Sequence, residues 1–544
     1  MQIIMPVKLR SLAVLAAILI SLNSFSQTAN FDIALEPVKM EGLGGLQSYA
    51  FGQHNGKWLI IGGRLDGLHR RQPFAAFDED GHNKRLLVID PVNKKHWSAS
   101  INSLSTSLQE QLSSTNMQFF QQGNYLYVAG GYGFSKGLDD HTTYAKLTAV
   151  DVPATINAII NKGKLPAHFR QITDSQFQVT GGRIVKINEL FYLVGGQKFL
   201  GAYNPMGPDH GPGFIQEYTS QIRKFSLMDD GTSITIHHLP AITDEANLHR
   251  RDYNVIPQIL PGGQEGATAF SGVFRKAANI PFLNSVDIDS TGYTVDHSFT
   301  QYYNHYHCAV FPMYAAAIKE MNTVFLGGIA QYYDDGGVLT QNSDVPFVKT
   351  IARVSRNAEG QMAEYKLPVQ MPALLGAGSE LIPNELLPRY ANGVIKYDEL
   401  GNDTVLIGYI YGGIISKQPN TFWVSEGELS KANNKMYKVL LLKNGRAGAH
   451  RLNEQSTGTL KMEAYPDIKT DSMIIQYKLA KATDVKITLS TPLGKKLVEL
   501  DLKNQPAGDM RLPKYIPKLS DGATFMLTIE TAYEKATQKI IVEP

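Results

Sequence analysis

LHRRDYN (Leu248–Asn254) puts Arg251 two residues before Tyr253, and PRYAN (Pro388–Asn392) puts Arg389 beside Tyr390. Guanidinium forks of this kind can clamp a carboxylate through paired hydrogen bonds, or can hold strand-start carbonyls. YYNHYHCAVFPMY (Tyr302–Tyr314) carries His305 and His307 two residues apart. In an extended segment that spacing puts both imidazoles on one side, a workable pair for a metal. Tyr332, Tyr333 and Trp423 lie in segments that also hold carboxylates, among them Asp334 and Asp335. Rings beside acceptors suit sugars, which stack their C–H faces and hydrogen-bond through their hydroxyls. The Asp-Asp pairs at 139–140 and 334–335 could hold Ca²⁺ with carbonyl oxygens, but neither brings a full ligand set, so no cofactor is expected. No Gly-x-Ser-x-Gly elbow, phosphate loop or His-Glu-x-x-His motif occurs, and no residue stands out as catalytic.

These residues sit between recurring elements. A polar turn, an apolar run and a glycine pair recur in GKWLIIGG (Gly56–Gly63), GNYLYVAGG (Gly123–Gly131), NELFYLVGG (Asn188–Gly196), MNTVFLGG (Met321–Gly328) and VLIGYIYGG (Val405–Gly413). GATAFSGVF (Gly266–Phe274) fills the one wide gap, with Ser271-Gly272 replacing the pair. Self-similarity at a period of about 70 residues marks a repeat array. In each unit a strand precedes the turn, and third and fourth strands follow a long insertion, as in KRLLVIDP (Lys84–Pro91) and KHWSASI (Lys95–Ile101). For three units the expected first strands are NVIPQILPGG, AAAIKEMN and NGVIKYDELGND. Four antiparallel strands per unit, six times over, predict a β-propeller, with a seventh blade open if the stretch around 275–315 conceals one.

The glycine pair closing each second strand resembles the kelch family, over about residues 30–455. The resemblance implies an all-β, six-bladed kelch-like propeller. NFDIALEPV (Asn30–Val38) is expected to complete the last blade beside MYKVLLLK. Strand one leaves one face and strand two returns to it, so the loops entering first strands and the long loops after the glycine pairs should share that face. Tyr132, Phe134, Tyr203, Asp66 and Asp209 are among the groups these loops carry. Two kelch-fold activities are also weighed. A copper-radical oxidase needs a cysteine joined to a tyrosine, and Cys308 in HCAVF reads instead as a small buried hydrophobe. A sialic-acid mutarotase of kelch type needs Arg and Glu near the axis; Arg251 and Arg389 are compatible with that, while Glu is scarce in these loops.

The two ends carry different signals. Lys8 and Arg10, an apolar run from Ser11 to Leu22 and Ser24-Phe25-Ser26 compose a secretory signal peptide over 1–26, cut before Gln27. Residues 27–455 would then form the propeller. Residues 462–544 change character to short alternating strands such as MIIQYKL, DVKITLST and TFMLTIET, the pattern of a small β-sandwich. With Tyr465-Pro466, Asp484-Val485, Leu493-Gly494-Lys495-Lys496, Ala507-Gly508, Asp521-Gly522 and the terminal KIIVEP, this segment resembles the C-terminal sorting domain of the Bacteroidetes type IX secretion system. That resemblance implies outer-membrane secretion machinery as a partner and a secreted or cell-surface destination. A single cysteine excludes an intramolecular disulfide. A formal charge of +2, from 52 basic and 50 acidic residues, argues against nucleic acid as a partner. Beyond the N-terminus no apolar stretch is long enough for a transmembrane span.

The expectation from the sequence is an exported propeller that binds a glycan or protein ligand through the long loops of one face, and is not a catalyst. The candidate ligand-binding residues are Arg251, Tyr253, His305, His307, Tyr332, Tyr333, Arg389, Tyr390 and Trp423, and no metal site is assigned. The alternative is a carbohydrate-active enzyme of kelch type on the same face.

Overall fold

The computed structural model describes residues 31–541, apart from 71–74, 205–212, 336–337, 402, 423, 425–426, 444–449, 452–459, 468–471, 492–494 and 515–523. The proposed signal peptide lies outside the described residues. The chain is all-β, and its repeated four-strand sheets fit a β-propeller.

The first repeat sets the plan. Ala50–His54, Lys57–Ile61, Arg85–Asp90 and Lys95–Ser100 form an antiparallel meander in chain order. The second strand is buried almost throughout, because neighbouring sheets cover both its faces. Equivalent sheets begin at Gln118, Arg183, Asn254, Ala309 and Ser379. Inside the wide gap, Ser285–Ile288 and Tyr293–Asp296 are the third and fourth strands of the sheet that starts at Asn254.

The glycine pairs stitch neighbouring repeats together. Gly130 has φ +63°, and a Cβ there would lie 1.9 Å from Val179 O of the next repeat. At Gly412 (φ +72°) it would lie 2.2 Å from Leu46 O. The second glycine then donates its N–H across the same junction: Gly63 to Ser114 O (2.8 Å), Gly131 to Val179 O (3.0 Å), Gly196 to Arg250 O (2.7 Å) and Gly413 to Leu46 O (2.9 Å). A side chain would therefore cost both backbone strain and the contact. The degraded copy keeps this conformation, with Ser271 at φ 50° and Gly272 at φ 101°.

Just before each first strand, one residue donates its N–H to the carbonyl of its counterpart in the preceding repeat. Asn116 bonds to Ser48 (3.1 Å), Gly181 to Asn116 (3.1 Å), Asp252 to Gly181 (2.7 Å), His307 to Asp252 (2.8 Å), Gly378 to His307 (3.0 Å) and Ser48 to Gly378 (2.8 Å). The last bond returns to the first residue, so the bonds form a closed circle. Ser48, Asn116, Gly181, Asp252 and Gly378 all have positive φ, the conformation that lets the chain turn from this circle into its strand.

The N-terminal strand closes the last sheet. Phe31–Val38 pairs antiparallel with Met436–Lys443, Phe31 opposite Lys443 and Val38 opposite Met436, so the sheet beginning at Ser379 takes its fourth strand from the opposite end of the chain. Phe31 and Ile33 are buried in a core shared with Val439 and Leu441.

Two first strands differ from expectation. The fifth repeat's is Ala309–Ala315, which precedes most of AAAIKEMN. The sixth repeat's is Ser379–Pro383, and NGVIKYDELGND supplies only the two-residue strand Ile395–Lys396 and a 3₁₀ turn at Tyr397–Glu399. Hydrophobic content alone did not distinguish the strand that begins at the circle from the apolar residues of the connection after it.

The C-terminal segment builds two sheets. One contains Lys461–Asp467, Ser472–Leu479 and Gly508–Lys514. The other contains Thr483–Ser490, Lys496–Gln505, Thr524–Thr531 and Lys535–Ile541. Ile475 and Tyr477 from the first share an apolar cluster with Ile487, Leu527 and Ile529 from the second.

Candidate functional site

The residues flanking each circle position fix where the loops emerge. Gln47 bridges to Arg64, Thr115 to Tyr132, Thr180 to Gln197 and Arg251 to Val273. The segment entering a first strand thus lies beside the segment leaving its glycine pair, and both open on one face. Insertions of neighbouring repeats join there: Tyr132–Ser135 and Asp140–Thr143 share a sheet with Gln197–Leu200 and Ile215–Tyr218.

These loops surround a cavity of about 580 Å³. Ser48, Asn116, Asp252, His307 and Gly378 of the circle form its floor. Phe77, Tyr203, Phe214, Tyr218, Phe274 and Tyr306 are among the rings of its wall. They brace one another, as in Phe77 edge-on to Tyr203 with centroids 5.6 Å apart, and Tyr218 stacked on His249 at 3.8 Å.

Arg251 is fixed from three sides. Its Nε donates to Tyr218 Oη (2.9 Å), its Nη1 is ion-paired with Asp252, and its guanidinium lies 5.4 Å from the Phe274 ring centroid. The other cationic groups around the cavity are also matched. Arg64 pairs with Asp66, Arg275 with Glu463 and Lys276 with Glu245. A wall of paired charges and rings offers donors and acceptors without a strong net field.

A second cluster lies beneath the circle, around a void of about 10 Å³. His307 Nε2 is 2.8 Å from Glu380 Oε1, and Arg183 Nη1 is 3.2 Å from the same oxygen. Burial raises the Glu380 pKa, but Arg183 and His307 outweigh it and hold the carboxyl below its ordinary range. Burial, then Arg183, lowers the pKa of His307. The arrangement pairs a carboxylate beneath the floor with an imidazole that also lines the cavity.

Among the nine candidates, Arg251 and His307 line the cavity and Tyr253 lies directly below it. His305 does not join His307. It is wholly buried, with Nε2 2.9 Å from Gln301 O and Nδ1 accepting the Gln331 N–H (3.0 Å). The segment is a loop, so the strand alternation expected of the two histidines does not apply. Tyr332 is buried against Tyr302, and Tyr333 is half-buried beside it, both away from the cavity lining. Arg389 and Tyr390 are in the connection after Pro383, which leaves the far end of a strand that starts at the circle. There Arg389 holds Asn384 O, and Tyr390 packs on Tyr314. They therefore belong to the opposite face, a consequence of the shifted first strand. Trp423 lies outside the described residues. Cys308 is buried near Phe270 and Phe325, and burial pushes its thiol up to about 12. Asp334 and Asp335 pair with Lys366 and Lys539.

Sequence reading missed Asp252, Tyr218, His249, Phe274 and Glu380. Glu380 stands two residues after Gly378, as Arg183 stands two after Gly181. Aligning the repeats on their circle residues would have brought this pair out.

The loop that carries the histidines has its own pH dependence. Glu364 is buried, accepts the N–H groups of Tyr302 (2.6 Å) and Tyr303 (3.2 Å), and is pushed by burial up to about 8. The folded carboxyl therefore holds its proton where the unfolded one, near 4.5, has lost it. Its contribution to stability is complete below about 4.5 and disappears as pH rises through about 8. Urea unfolding at pH 6 and pH 8.5 should show a fall of about 2 kcal/mol that Glu364→Gln largely removes. An equal fall in the variant would exclude this origin.

No family model matches the chain, and no curated protein matches it. Solved structures do match; one is the structure of YjhT, 10% identical, with 74% of this chain and 100% of that chain covered and a TM-score of 0.41.

Proposed function

We propose that the protein binds a glycan in the cavity of the long-loop face. One observation carries the reading: a concave site of about 580 Å³ whose wall alternates rings with internally paired charges. The volume is within the range of small-ligand pockets, and its concavity favours a sugar over a flat protein epitope. Stacking on Tyr203 or Tyr218 would use the sugar's C–H faces, and the Arg251–Asp252 pair would supply both a donor and an acceptor for hydroxyls. In this reading the repeats are six blades of one kelch-like ring, supported by the circle of backbone hydrogen bonds, and residues 462–544 are a small sandwich. The sequence resemblances further support export through 1–26 and sorting by the C-terminal segment. N-terminal sequencing of the exported chain should begin at Gln27; a start at Met1 would reject that step.

The test is a glycan-array screen of the full chain, with and without Ca²⁺. A hit should weaken about tenfold or more in Tyr203→Ala and in Arg251→Ala. No hit on any glycan would overturn the proposal. A second reading, a carbohydrate-active enzyme, has one specific observation in its favour: His307 on the cavity floor, paired from beneath with Glu380. Its signature is turnover of a bound sugar that Glu380→Gln abolishes while binding persists.

A further inference from the structure

The C-terminal unit touches the rest of the molecule at two of the loops that line the cavity. Lys535–Ile541 adds in parallel to Val338–Asn342, with Thr340 opposite Lys539 and Gln341 opposite Ile540. Val338–Asn342 is half of the hairpin that follows the Gly327-Gly328 pair, and the next residues, Ser343, Asp344 and Val345, line the cavity. The second contact is at the shortened insertion of the fourth repeat. Arg275 makes a two-point ion pair with Glu463, at 3.0 Å to Oε1 and 3.1 Å to Oε2, and Arg275, Lys276 and Asn279 also line the cavity.

The chemistry of this junction differs from that of the cores it joins. Gln341 Nε2 donates to Ala464 O (2.5 Å), Gln538 Nε2 donates to Gln341 Oε1 (2.6 Å), and Lys539 pairs with Asp335. Ile280 against Ile474 is a small apolar contact beside these polar ones. Ile475, Ile487 and Leu527 meanwhile pack into a core separate from those of the repeats. A unit with its own core, attached by strand addition and hydrogen-bonded charges, can leave without exposing a large apolar face.

We propose that the C-terminal unit is a detachable buttress behind two segments of the cavity wall. Docked, it holds the 338–345 and 274–284 segments in place; released, it frees both and opens the cavity on that side. The inference holds whatever ligand the cavity takes. The test is amide hydrogen exchange on the full chain carrying Glu463→Arg, which sets two cations against each other. Exchange in 338–345 and 274–284 should quicken about tenfold or more, while 485–489 and 525–529, inside the C-terminal core, stay as slow as before. Arg275→Glu combined with Glu463→Arg should restore slow exchange. A disulfide between Gln341→Cys and Ile540→Cys should keep 338–345 slow even beside Glu463→Arg, until it is reduced. Unchanged exchange in Glu463→Arg would overturn the proposal. So would loss of protection in the C-terminal core together with the two loops, because the unit would then not be separable.

Discussion

Arg250→Ala is expected to cost about 4 kcal/mol and to take the long-loop face with it. Arg250 is 0% exposed, yet every nitrogen of its guanidinium has an acceptor. Nε donates to Asn247 O (2.6 Å), Nη1 to Ser271 O (2.7 Å) and Asn284 O (3.0 Å), and Nη2 to Asn284 Oδ1 (2.7 Å). The group also lies 4.0 Å from the Phe282 ring centroid. One side chain thereby ties the loop entering the fourth first strand to the Ser-Gly turn and to the start of the third strand. Removing it leaves buried carbonyls without donors and a void of its own size. Arg251 and Asp252 follow directly, so the cavity floor should lose order as well. Arg250→Lys should recover little, because an ammonium cannot span the same acceptors. Urea midpoints of the three proteins provide the check; a loss under about 1 kcal/mol in Arg250→Ala would contradict this account.

Ile33→Asp should open the ring at its seam, at a cost of about 3–5 kcal/mol. Ile33 is 4% exposed and lies in the core beside Val439 and Leu441. A carboxylate at that position has to be desolvated or has to pull its strand away. Phe31–Val38 is joined to Met436–Lys443 by pairing, not by a short turn, so its release leaves that strand as a bare edge. Amide exchange in 436–443 should rise sharply, while 125–129 on the second repeat rises less. Equal changes at both places would indicate global unfolding instead of opening at the seam.

The two predictions rest on differently legible parts of the molecule. The seam could be read early, because a lone alternating strand at one end and an incomplete repeat at the other can satisfy their backbones together. Arg250 could not. In LHRRDYN two adjacent arginines look alike, and only the packed structure buries one as a structural tie and turns its neighbour toward the cavity. The same limit explains Arg389 and Tyr390. Their distance from the site follows from a first strand that begins at Ser379, a start fixed by the hydrogen bond between Gly378 and His307 and not by local hydrophobicity.

By itself, the chain's periodicity determined the all-β class, the repeating four-strand unit and the shared face of its loops. Those features depend on local chemistry: apolar runs, polar turns, and glycine where positive φ and close approach exclude a side chain. Tertiary structure decided which groups meet. Glu380 reaches His307 and Arg183, Arg251 is held by Tyr218, and the strand Lys535–Ile541 pairs with the hairpin strand that leads into cavity-lining residues 343–345. Those meetings join residues far apart in sequence, and their free energy comes from burial and pairing that exist only when the repeats have closed on one another.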